Sequence, residues 1–103
     1  MIKEIIEAKD SKDIEKCKGQ LHEDFIFIDD FSMETKEDYV KGHEGMFSRN
    51  IDLKLERQIV LDKSECCGFQ FSRNINGTKH RITNLYLLKE DKIWRHIINR
   101  TPI

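Results

Sequence analysis

Apolar and polar positions follow two periods along this chain, and the change between them falls at residue 51. In the first half the spacing is helical. Ile2, Ile5 and Ile6 stand at i, i+3 and i+4, one stripe of a short helix that fades by Lys9. Asp10, Ser11 and Asp13 offer N-caps for a second helix with the stripe Ile14, Cys17 and Leu21, closed by His22-Glu23-Asp24. The next stretch, Asp24–Asp30, reads DFIFIDD. Its four apolar residues are too few for a helix and predict a strand covered on both faces. After a loop from Phe31 to Glu34, Thr35-Lys36-Glu37-Asp38 fits a T-x-x-D capping pattern. It predicts a third helix with Tyr39, Val40, His43, Met46 and Phe47 on one face.

From Ile51 the period is 2. Leu53, Leu55, Ile59 and Leu61 alternate with polar residues on a long expected strand, followed by a turn at Asp62-Lys63. Cys67, Phe69 and Phe71 alternate on the next. Asn76-Gly77 is a strong hairpin signal, because both residues tolerate the positive φ of a type I′ turn. Ile82 to Leu88 and Ile93 to Asn99 are the last two strands, separated by a turn at Glu90-Asp91-Lys92. Pro102 lies in the tail, clear of the ladder. The order α-α-β-α-β-β-β-β predicts an α+β fold with the helices on one face of a curved antiparallel sheet. Such a sheet, closed by helices, leaves a concavity suited to a small molecule.

Composition narrows the class. The chain of 103 residues predicts one domain over 1–103, and its formal net charge of −1 is spread over interleaved signs. No basic stripe points to nucleic acid, and no apolar run is long enough to span a membrane. The N-terminal MIKEIIEAKD carries acids where a signal peptide would be apolar, so a cytoplasmic location is expected. Cys17, Cys66 and Cys67 are odd in number and form no C-x-x-C pair, which predicts reduced, mostly buried thiols. No phosphate-loop or nucleophile-elbow motif is present, so no cofactor is expected. His22-Glu23-Asp24 has no second cluster at metal-ligand spacing and reads as a helix end.

Asp13–Asp29 (DIEKCKGQLHEDFIFID), the helix after Thr35, and Asn84–Ile93 (NLYLLKEDKI) resemble the nuclear transport factor 2-like superfamily. Within it the chain is most similar to the ketosteroid-isomerase-like and polyketide-cyclase-like (SnoaL-like) branches. The resemblance implies a cone-shaped, cystatin-like α+β barrel. In ketosteroid isomerases an aspartate ending the first strand is the general base, and Asp29 holds the similar place. Their protonated aspartate on the penultimate strand corresponds to Asn84, whose amide can still donate. Their tyrosine donor falls near Ile5, where there is no hydroxyl.

If Asn84 faces inward, alternation turns His80, Ile82 and Tyr86 inward as well. The resemblance turns Trp94, His96 and Ile98 the same way. The expected cavity therefore holds Asp29, Asn84 and His96 as its chemistry, against Phe27, Phe69, Phe71, Tyr86, Trp94 and Ile98. Asp29 reads either as a base or as an ordinary strand end. His96 reads either as a proton shuttle or as a satisfied core histidine. Arg57 breaks the alternation and marks either a β-bulge or an arginine reaching an acidic ligand or Asp29. Leu85, Leu87, Ile93 and Ile97 would lie on the outer face, a pattern that predicts a homodimer. Three functions fit: a metal-free isomerase or cyclase acting on an apolar carbonyl compound, a non-catalytic binder of an apolar ligand, or a protein-interaction domain.

Overall fold

A computed structural model describes residues 1–103. The elements are α1 (Ile2–Asp10), α2 (Ile14–Gly19), β1 (Leu21–Ile28), β2 (Met33–Thr35), α3 (Lys36–Ser48), β3 (Gln58–Asp62), β4 (Cys66–Ile75), β5 (Thr78–Lys89) and β6 (Lys92–Pro102). The six strands form one sheet in the order β2-β1-β6-β5-β4-β3. The meander from β3 to β6 is antiparallel, and β1 returns parallel to β6.

Local chemistry sets several boundaries where the sequence placed them. The Thr35 hydroxyl accepts from the Asp38 backbone N–H and caps α3, and the Asp13 carboxylate caps α2 through Lys16. Asn76 and Gly77 both adopt positive φ in the β4–β5 hairpin. The helices cover the inner face of the sheet. Ile2 and Ile5 from α1 and Tyr39 from α3 close over Phe25, Phe27, Phe69, Phe71, Ile82 and Tyr86.

Three expectations are corrected. Helix α2 stops at Gly19, so Leu21–Asp24 belongs to β1, with Leu21 opposite Ile93. The strand expected from Ile51 begins only at Gln58. Before it the chain turns, with Glu56 at φ 52°, and the Arg57 guanidinium takes the Leu53 carbonyl at 2.8 and 3.1 Å. A side chain thus satisfies a carbonyl that a strand neighbour would otherwise take. A register shift does occur on this strand, between Ile59 and Leu61 rather than at Arg57.

The third correction matters most for the site. Leu88 pairs with Ile93 and Leu87 with Arg95, so Trp94 is an extra residue in β6. One bulged residue exchanges the faces of everything before it. Ile93, expected outside, is 2% exposed in the core. Trp94, expected inside, is not in the cavity wall and lies against the Arg95 guanidinium, 3.8 Å from its ring centroid.

Candidate functional site

A cavity of about 140 Å³ lies between the sheet and the helices. Its wall is apolar where β1, β4 and β6 contribute Phe27, Phe69, Phe71 and Ile98. Its polar end is Asn84, His96, His43 and Lys9; Arg73 and Arg100 also line it, with Met46, Leu53 and Ile82 adding apolar surface. A larger trough of about 720 Å³ lies outside, between α1 and the turn at Arg57, but it is open. Its main polar pair is already satisfied, with Arg57 bidentate on Asp10 at 2.8 Å for each bond.

The polar end is a chain of hydrogen bonds whose directions can be worked out. His43 Nδ1 lies 3.1 Å from the Tyr39 carbonyl, which only accepts, so that nitrogen carries the proton. His43 Nε2 is then bare and accepts from Lys9 Nζ at 2.9 Å. Lys9 also donates to the Tyr39 hydroxyl oxygen at 3.4 Å. Tyr39 therefore sends its own proton to His96 Nδ1, 2.8 Å away. His96 Nε2–H in turn donates to Asn84 Oδ1 at 2.9 Å. The relay ends at Asn84 Nδ2, which is buried and has no partner in the protein.

Packing holds this relay in place. Phe25 and Phe27 flank the Tyr39 ring at centroid distances of 4.6 and 5.3 Å. Tyr86 stacks on His96 at 4.3 Å. Burial chiefly sets the proton affinities. It lowers His43 to about 3, with help from the Lys9 charge. It drives His96 well below its ordinary value, again with Lys9 and with His43 and Arg100 adding. It lowers Lys9 to about 8.

Of the residues predicted for the site, Asn84, His96, Phe27, Phe69, Phe71 and Ile98 line the cavity together. Tyr86 does not line it; it stands behind His96 as core. Arg57 lies in the outer trough on Asp10, away from Asp29. His80 is also absent from the wall and binds the Thr78 carbonyl instead. Asp29 is outside the wall too. Strand β1 ends at Ile28, and the Asp29 N–H closes a turn onto the Ser32 carbonyl. Its carboxylate takes the Arg100 guanidinium at 2.9 Å, so it meets the cavity only through that arginine.

The sequence reading missed Lys9, Tyr39 and Arg100, and gave His43 only a packing role. One signal was available. Lys9 continues the Ile2–Ile5 stripe at i+7, so a lysine occupies a core position of an amphipathic helix.

No family model matches the chain, and no curated protein matches it. Solved structures do. An NTF2-like protein from Cytophaga hutchinsonii is similar over 96% of this chain and 85% of its own, at 20% identity and a TM-score of 0.67. A candidate polyketide cyclase from a Silicibacter species is similar over 97% and 85%, at 14% identity and a TM-score of 0.76. The chain has the nuclear transport factor 2-like fold. A candidate polyketide cyclase from Pseudomonas putida adds a third likeness, over 95% and 86% at 16% identity and a TM-score of 0.72. Within this fold the cavity sits where the curved sheet and α3 enclose space. Tyr39 of α3, rather than a residue near Ile5 of α1, brings a hydroxyl to His96, from behind the cavity wall.

Proposed function

We propose that this protein is a small-molecule-binding member of the polyketide-cyclase-like group, and that the Asn84 amide donates to a carbonyl oxygen of its ligand. The observation that carries this reading is the buried Asn84 Nδ2 without a partner on the wall of a cavity. A buried donor left unmade costs about 1–3 kcal/mol, which a ligand acceptor would recover. Binding fits the site better than proton abstraction does. His96 and His43 already use their free lone pairs within the relay, and Asp29 is committed to Arg100. The general-base role that the resemblance implies would require Asp29 to release Arg100 and enter the cavity.

Acetophenone, a neutral carbonyl probe, tests this reading. Titrated into ¹⁵N-labelled protein, it should shift the Asn84 side-chain amide pair, and Asn84→Leu should bind it about tenfold more weakly. Unchanged affinity in Asn84→Leu would sink the reading.

The outer face supports a second copy of the chain as partner. One apolar row crosses all six strands through Met33, Ile28, Ile97, Leu85, Gly68 and Leu61. Gly68 is needed there, because an added Cβ would stand 2.6 Å from the Asn84 carbonyl oxygen and 2.9 Å from Leu85. Leu85 and Ile97 are opposite one another, as the expected dimer needs, whereas Ile93 lies inside. An apolar sheet face can pack against its own copy about a two-fold axis. Sedimentation equilibrium should give a dimer at micromolar concentration and a monomer for Leu85→Arg. A monomeric wild type would remove the proposal.

A further inference from the structure

The proposed pocket has a charge on its wall that nothing in the protein balances. Lys9 is 7% exposed, and both of its hydrogen-bond partners, Tyr39 and His43, are neutral. No carboxylate lines the cavity, while Lys9, Arg73 and Arg100 all do. Asp29 offsets Arg100 from outside. Arg73 and Lys9 take part in none of the ion pairs of the structure. Arg73 is solvent-exposed, so the buried charge left without a partner is that of Lys9. A buried cation without a counter-charge is expensive, and proteins normally pair it.

The hydrogen-bonding inventory points the same way. The side-chain acceptors at the polar end are occupied: Asn84 Oδ1 by His96, His43 Nε2 by Lys9, and His96 Nδ1 by Tyr39. The buried side-chain polar atom of the wall left with no partner is a donor, the Asn84 amide nitrogen, and it lies beside the cationic groups. Such a site favours a ligand that accepts. A neutral alcohol or amide would leave the Lys9 charge unbalanced. A carboxylate brings two acceptor oxygens and the missing charge.

We propose that the missing counter-charge is the ligand itself: the cavity takes a small organic carboxylate, its oxygens directed to the Asn84 amide and the Lys9 ammonium and its apolar body against Phe27, Phe69 and Phe71. This rests on the pocket reading above and adds the substrate class to it. About 140 Å³ is the share of roughly five liquid waters, well under a drug-sized site, so the acid is a compact one such as a single substituted ring.

Benzoate and benzamide share size and shape and differ in charge, so they test it directly. By calorimetry at pH 7, benzoate should bind at least tenfold more tightly than benzamide, and Lys9→Met should erase that difference. The methionine keeps the apolar stem. Lys9 is faced by Cys17 from α2, Tyr39 and His43 from α3, and His96 from β6. Burial leaves the two imidazoles neutral at this pH, so Lys9 is the group that changes charge. Benzoate affinity should accordingly fall as pH rises through about 8, while acetophenone affinity stays level. A structural lysine would not produce that difference. Equal binding of benzoate and benzamide, with acetophenone still shifting the Asn84 amide, overturns the carboxylate inference and leaves the pocket reading standing. No shift with any of the three overturns both.

Discussion

Lowering the pH from 7 to about 4.5 is expected to destabilise the protein by at least about 3 kcal/mol, through His43 and His96. Both imidazoles are held neutral in the fold, chiefly by burial and then by the Lys9 charge. In the unfolded chain they take up protons near the ordinary histidine value of 6.5. The sign follows from proton counting. Below pH 6.5 the unfolded state binds more protons than the folded one, so stability falls as pH falls. His43, at about 3 in the fold, is in this regime from 6.5 down to 3. Each such histidine removes about 1.4 kcal/mol per pH unit, so His43 alone removes about 3 kcal/mol by pH 4.5, and His96 acts in the same direction. That is a large part of the whole stability of a small domain, about 5–15 kcal/mol. Asp10 adds to the trend at lower pH, because its hydrogen bonds to Arg57 hold its carboxyl below the usual range. Urea unfolding followed by circular dichroism at pH 7, 6, 5 and 4.5 measures the slope. A stability that stays flat down to pH 4.5 would contradict it, and His43→Gln should make the slope shallower by about 1.4 kcal/mol per pH unit.

These histidines also show what the sequence could and could not reveal. Alternation on β5 put Ile82, Asn84 and Tyr86 on one face, and that is where they lie, because no bulge interrupts the strand between them. The same rule failed on β6, where Trp94 is extra beside a two-residue turn and Ile93 takes the inward place. Nothing in the apolar pattern of IWRHII distinguishes the two registers, since the choice is made by pairing with β5 and β1. Asn76-Gly77 and Thr35 were legible because their chemistry is local. The relay was not, because Tyr39 and His96 are 57 residues apart and Lys9 and Tyr39 are 30 apart. Asp29 was expected in the cavity as the acid ending the first strand, the place of the general base in the enzymes the chain resembles. Its position past the end of β1 left it for Arg100, a pairing no spacing encodes.

Lys9→Met is expected to change the alkaline behaviour of the fold. Burial is the main reason Lys9 sits at about 8 instead of 10.5. Below pH 8 the fold carries the cost of a buried ammonium, about 3 kcal/mol from a shift of that size. Between 8 and 10.5 the unfolded chain still holds the proton that the folded chain has lost, so this cost disappears as pH rises. Two thiols oppose the gain. Burial raises Cys17 and pushes Cys67 up to about 11, so above about pH 9 the unfolded state loses protons that the folded state keeps. Wild-type stability should therefore climb from pH 8 to about 9 and then decline. In Lys9→Met the thiol decline remains and the climb vanishes. The difference between the two proteins isolates Lys9, and the wild type should gain about 3 kcal/mol on the variant between pH 7.5 and 10.5. Chemical denaturation across that range reads it directly. A difference that does not change with pH would mean that the Lys9 ammonium is as well stabilised in the fold as in water, and the cavity would then hold no uncompensated charge for a carboxylate to balance.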